Sequence, residues 1–93
     1  METSKKDIFE NAMSDPSVPK LYTNGYTIAS SDTDFILLMT QNGVPMQIVN
    51  MSFTTFKSFS LKAADAVKKF EENTGITINT VENIRSNKEK SKQ

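Results

Sequence analysis

Apolar residues are densest in one stretch, DFILLMTQNGVPMQIVNM, residues 34–51. FILLMT is a run of β-formers. It is followed by Asn42-Gly43, the pair favoured by a type I′ turn because both central positions there need positive φ. With those two residues at the turn, Gln41 stands opposite Val44, Met39 opposite Met46, Leu37 opposite Ile48 and Ile36 opposite Val49. Phe35, Leu37, Met39, Met46 and Ile48 then share one face with Asn50. Ile36, Leu38, Val49 and Met51 share the other, and a one-residue slip, which the turn opposes, would exchange the faces. The predicted hairpin is thus apolar on both faces, and one covering helix accounts for only one of them.

Upstream, KLYTNGYTIA over 20–29 is again rich in β-formers. Two-residue alternation puts Tyr22, Asn24, Tyr26 and Ile28 on one side, while Gly25 weakens the strand or marks a bulge. SSDTD supplies the polar connection to the hairpin. Downstream the period changes from two to between three and four. Phe56, Phe59, Ala63, Val67 and Phe70 fall within an arc of roughly 80° on a helical wheel, which predicts an amphipathic helix over 53–74. Ser52 is its candidate N-cap, although no Glu or Gln stands three residues later, and Gly75 is a natural residue to end it. Asp65 with Lys68 and Lys69 supports the polar side, and Leu61 sits nearly opposite the stripe.

Beyond the helix, ITINTV alternates Ile76, Ile78 and Thr80 against Thr77, Asn79 and Val81, a candidate short terminal strand. RSNKEKSKQ carries four basic residues and one acidic one, has no aromatics, and reads as a solvated, disordered tail. At the other end Ile8, Phe9, Ala12 and Met13 line one side of a short helix that SDPSVP stops, since proline lacks a donor and restricts the residue before it. This segment is either a frayed arm or an arm that docks on a partner or on its own core. The pattern predicts an α+β fold: a three-stranded antiparallel β-meander, then one long helix packed on the sheet, with the short terminal strand after it. Residues 1–19 form a flexible N-terminal arm, 20–81 a single domain and 82–93 a basic tail.

Such a unit is small. An ordered stretch below about 70 residues rarely builds a core worth more than a few kcal/mol. Burying each of Ile36, Leu38, Val49 and Met51 is worth roughly 1.5–3 kcal/mol. Association of identical chains through the sheet is the simplest cover, and closed dimers are the commonest form. Ile36, Leu38, Val49, Met51 and Leu61 are the candidate oligomer interface, with the N-terminal arm as the rival cover.

Composition narrows the chemistry. The chain of 93 residues has 11 Lys plus Arg and 11 Asp plus Glu, so no overall charge draws it to nucleic acid, membrane or acidic substrates. It has no Cys and no His, which removes thiolate nucleophiles, disulfides, the commonest metal ligand and the commonest general base near neutral pH. The N-terminal residues contain no apolar run of signal-peptide length, no stretch approaches the ~20 apolar residues of a membrane span, and a cytoplasmic location is expected.

The order of the pieces resembles a family of short bacterial and archaeal proteins called domain of unknown function 3467. The resemblance runs over residues 20–78. It rests on Tyr22-Thr23-Asn24 opening the first strand, SSDTDFILLM, Met51-Ser52 at the helix start, Lys57 five positions after Ser52, and KKFEENTG at the helix end. The chain departs from the family pattern in its tight Asn42-Gly43 turn, in Phe53 where the family has Pro, and in Ser58 where it has Arg. The resemblance implies fold and no activity. The strands-then-helix order is also similar, as architecture alone, to the export chaperone SecB.

Asp32 and Asp34 are two apart and read as a solvated turn before a metal or ligand site. Glu71 and Glu72 point apart on the helix, so they make no acid–base pair. No nucleophile–base–orienter set can be assembled without His or Cys short of schemes that nothing here specifies. The expected function is therefore a non-enzymatic, homo-oligomeric interaction module without cofactor or metal, binding a protein or peptide at a sheet edge or in an apolar groove. Tyr22, Asn24, Tyr26 and Lys57 are the candidate partner-binding residues. The alternatives are a nucleic-acid-associated regulator using the basic tail and a small-ligand sequestering protein with a pocket between subunits.

Overall fold

The computed structural model describes residues 4–91. The element order is α1 (Lys5–Ser14), β1 (Gly25–Ser30), β2 (Asp34–Gln41), β3 (Val44–Ser52), α2 (Phe53–Thr74) and α3 (Val81–Ser91). The chain is α+β: an antiparallel three-stranded sheet in the order β1-β2-β3, followed by the long helix α2. It divides into two compact units, Met1–Met51 and Ser52–Gln93.

In the first unit the hairpin turn is as the sequence predicts. Asn42 and Gly43 are its two central residues, with φ of 51° and 82°. Asn42 tolerates the left-handed region better than other non-glycine residues, and Gly43 has no Cβ to oppose it. A two-residue connection between Gln41 and Val44 fixes the register, so Met39 pairs with Met46, Leu37 with Ile48 and Ile36 with Val49. On the other side of β2, Ile28 pairs with Leu37, Tyr26 with Met39, Thr27 with Leu38 and Ala29 with Ile36. Directly opposed residues share a face. Tyr26 and Ile28 therefore join Phe35, Leu37, Met39, Met46 and Ile48, while Thr27 and Ala29 join Ile36, Leu38 and Val49.

The β1–β2 connection is closed by one side chain. Ser31 Oγ accepts from the N–H groups of Thr33 and Asp34 at 3.2 and 3.0 Å, and the Ser31 N–H donates to the Asp34 carbonyl at 2.8 Å.

The first strand is shorter than the pattern over 20–29 predicts, and its beginning is irregular. Gly25 is the register partner of Thr40, yet the Asn24 N–H also donates to the Thr40 carbonyl, at 3.1 Å. Two residues thus address one, which makes Asn24-Gly25 a bulge, one of the two roles the sequence left open for Gly25. A Cβ at Gly25 would lie 2.5 Å from Thr40 Oγ1, so glycine fits where the two strands crowd. The bulge also breaks the alternation that would have aligned Tyr22 and Asn24 with Tyr26.

Among the described residues, α1 has Ser4 as its N-cap, accepting from the Asp7 N–H at 3.1 Å. Ile8, Phe9 and Met13 are exposed, Ala12 is half-buried, and no residue of the helix is buried. The turn after it is closed on the Asp15 carboxylate. The Ser17 hydroxyl and the Ser17 N–H donate to Asp15 Oδ1 at 2.7 and 2.9 Å, and hold this exposed carboxyl below the usual range.

In the second unit, Ser52 caps α2 by accepting from the Thr55 N–H at 3.1 Å. The Glu or Gln of a full capping box is missing. Thr55 takes part of its place, its Oγ1 accepting from the Ser52 hydroxyl at 2.9 Å. Gly75 ends the helix at φ 72°, its N–H returning to the Glu71 carbonyl at 2.9 Å. Asp65 pairs with Lys69 at 3.0 Å, and Lys68 turns instead to Glu72 at 3.9 Å. Both pairs are solvent-exposed and worth little to stability. No residue of α2 is buried.

Residues 76–81 are not a strand. The Ile78 N–H is claimed by Glu71 Oε2 at 2.8 Å, which removes a donor that a ladder needs. Thr80 and Asn83 then cap each other: the Asn83 N–H donates to Thr80 Oγ1 and the Thr80 N–H donates to Asn83 Oδ1, both at 3.0 Å. That reciprocal box starts α3 at Val81. The helix occupies most of the segment whose composition reads as a disordered tail. Residues 92–93 lie outside the described residues.

Candidate functional site

The sheet sets the geometry of the candidate surface. β2 is central, β1 and β3 are the edges, and Leu37 in the middle of β2 is 7% exposed. It is the buried apolar residue among those described. Its flanking neighbours on the same face are open: Tyr26 is 62% and Ile48 64% exposed, and Ile28 and Met46 are exposed as well. On the opposite face Ile36, Leu38 and Val49 are half-buried, as is Met51 at the end of β3. The structure thus gathers Ile36, Leu38 and Val49 on one face, with Met51 beside them on the same strand. Leu61 is an exposed residue of α2, in the other unit. The larger exposed apolar area of the sheet lies on the Leu37 face, with Tyr26 at one edge and Ile48 at the other.

The candidate partner-binding residues are divided between the two units. Tyr22 precedes β1 and is exposed, Tyr26 lies on β1, and Lys57 is exposed on α2. Asn24 has an internal role. The Asn42 N–H donates to Asn24 Oδ1, and Asn24 Nδ2 donates to Asn42 Oδ1, both at 2.9 Å. Thr23 Oγ1 donates beside it to the carbonyls of Thr40 and Gly25, at 2.6 and 2.8 Å. The start of β1 is thereby fastened to the tip of the β2–β3 hairpin, and the left-handed Asn42 finds a partner for its backbone donor. Asn24→Ala removes both amide contacts. It is expected to lower stability by about 1 kcal/mol, seen as an earlier urea midpoint. An unchanged midpoint would show that the tie contributes nothing.

The acidic residues remain apart from any ligand set. Asp34 Oδ2 receives Asn50 Nδ2 at 3.5 Å, a long contact across the sheet. Among the described residues, no group of three or more His, Cys, Asp or Glu is gathered in a way that would hold a metal ion. Thr54, Thr55, Ser58, Phe59, Lys62 and Ala63 line a shallow, open depression along α2. In the same helix the Phe56 and Phe59 rings meet at 6.4 Å with a tilt of 45°. Phe59, Val67 and Phe70 of the stripe are exposed, and Phe56 is half-buried. No described helix is long and apolar enough to cross a membrane.

No family model, curated protein or solved structure matches the chain.

Two features of this surface are not legible in the sequence. One is the Asn24–Asn42 tie, whose only signal is that two Asn-Gly pairs occur in one short sheet. The other is the burial of Leu37 ahead of Leu38, for which a strand apolar on both sides gives no signal.

Proposed function

We propose that the chain is a non-enzymatic interaction module that works as a homo-oligomer, a dimer in the simplest case, and that a protein or peptide partner joins it along the sheet. What supports the reading is the distribution of apolar side chains within each unit. The sheet buries Leu37 and leaves Tyr26, Ile28, Met46 and Ile48 open on the same face. The helix α2 carries an apolar stripe of which Phe56 is half-buried and Phe59, Val67 and Phe70 are exposed. Single exposed apolar residues are ordinary on protein surfaces, but contiguous faces of them mark interaction sites. The chain has no Cys for a stapling disulfide. Its chemistry points the same way: without His or Cys, and with no gathered carboxylates among the described residues, the side chains offer surfaces rather than a reaction centre. The resemblance to domain of unknown function 3467 bears on the order of the elements and adds no activity.

The test is the dependence of stability on protein concentration. Mass action makes the urea midpoint of an obligate oligomer rise as the chain is concentrated. A midpoint that does not move from low to high micromolar concentration would contradict the oligomer. Salt-sensitive retention on DNA or RNA would favour instead a nucleic-acid-associated regulator.

A further inference from the structure

We infer that two copies of this chain join by antiparallel pairing of their β3 edges about a two-fold axis at Val49. The inference rests on the homo-oligomer reading above and says where its interface lies.

The direction of every backbone group in β3 follows from the turn. In a two-residue hairpin the residues flanking the turn, here Gln41 and Val44, exchange both hydrogen bonds, and bonded and non-bonded pairs then alternate. Val44, Met46, Ile48 and Asn50 therefore point their N–H and C=O at β2. Pro45, Gln47, Val49 and Met51 point theirs away, to the open edge of the sheet. Pro45 has no N–H to offer, and it stands at a position where the internal ladder does not need one. The outward donors are those of Gln47, Val49 and Met51, and Phe53 begins α2 immediately beyond.

That set is symmetric about Val49. Antiparallel pairing centred there sets Val49 against Val49 and Gln47 against Met51 of the second copy, and every outward donor meets an outward carbonyl. The neighbouring registers are poorer. Moving the axis to Ile48 sets Met51 against Pro45, so a donor is missing on each side. Moving it to Asn50 sets Gln47 against Phe53, whose backbone is helical. Proline at one end and the helix start at the other thus select a single register.

Charge and edge protection choose this edge over β1. Exposed strand edges are commonly guarded by bulges, charges or proline. The β1 edge has a bulge at Asn24-Gly25 and leads into a turn bearing Asp32, with Asp34 at the start of β2 beyond it. β3 is the longest strand, VPMQIVNMS, and carries no charge, so two copies meet with no like-charge opposition. Its single guard, Pro45, lies outside the paired span. An edge bare of protection is an aggregation hazard unless something pairs with it, and a self-complementary one is suited to a second copy.

The absence of native Cys makes the test clean. In the full chain, Val49→Cys brings two thiols together across the axis. Hydrogen-bonded partners there have Cα atoms about 5.5 Å apart and Cβ atoms farther apart than a relaxed disulfide allows. A short bismaleimide, which spans the two thiols, should convert it to a covalent dimer. Ile28→Cys, at the centre of the β1 edge, should stay unlinked at the same concentration. As a second variant, Val49→Pro removes the central outward donor without taking a bond from the internal ladder, and should weaken association about tenfold or more. Linkage at Ile28 but not at Val49, or equal linkage at both, in a chain that associates would overturn the β3 interface and leave the homo-oligomer reading standing. A wild type that never associates would overturn that reading itself.

Discussion

Leu37→Lys unfolds the sheet unit. Leu37 is the most deeply placed side chain on the central strand, with Ile28 and Ile48 beside it in the neighbouring strands. Removing its burial forfeits roughly 1.5–3 kcal/mol, and an ammonium without a partner in the same place costs several kcal/mol more. A domain of this size has only about 5 kcal/mol to lose. Far-UV circular dichroism should show loss of the β signal and of cooperative melting. A variant that melts cooperatively near the wild-type temperature would mean that Leu37 is not the centre of the packing.

Ile48→Lys, on the same face, should behave differently. Ile48 is 64% exposed in the single chain, so the charge sits in water there and the monomer keeps its secondary structure. In the edge-paired state residue 48 of each copy stands opposite Asn50 of the other, and the two residues 48 lie on one face across the axis, so each copy loses an apolar neighbour and two like charges approach. At roughly 0.2–1 kcal/mol for each cross-strand neighbour lost, with the charge opposition added, the dissociation constant should rise about tenfold. Sedimentation should show a smaller species whose dichroism matches the wild type. Undiminished association would place the interface away from the β3 edge.

The parts of the fold that were legible in the sequence are those set by local chemistry. Asn42-Gly43 specifies a turn by its backbone requirement, and the turn fixes the register of the strands on either side. Ser52 and Gly75 delimit α2 by capping, and the three-to-four spacing from Phe56 to Phe70 supplies the stripe between them. The failures came where a local pattern was overruled by a specific side-chain contact. ITINTV alternates like a strand, but Glu71 takes the Ile78 donor and the Thr80–Asn83 box opens a helix instead. Asn83 stands where a capping box usually has Glu or Gln, which hid the helix start. At Asn24-Gly25 the bulge shifted the alternation, so Tyr22, Asn24 and Tyr26 never formed the row that period two implies. The choice between the two hairpin faces was beyond sequence pattern altogether, because Leu37 and Leu38 are the same residue on opposite sides of one strand.

The most direct test of the central claim, that this chain pairs with a second copy of itself, is the mass of the wild-type chain in solution. Light scattering across the micromolar range should give twice the 10.4 kDa chain mass, falling toward the single value only on dilution. A mass of 10.4 kDa at every concentration, with a folded dichroism spectrum, would contradict the account.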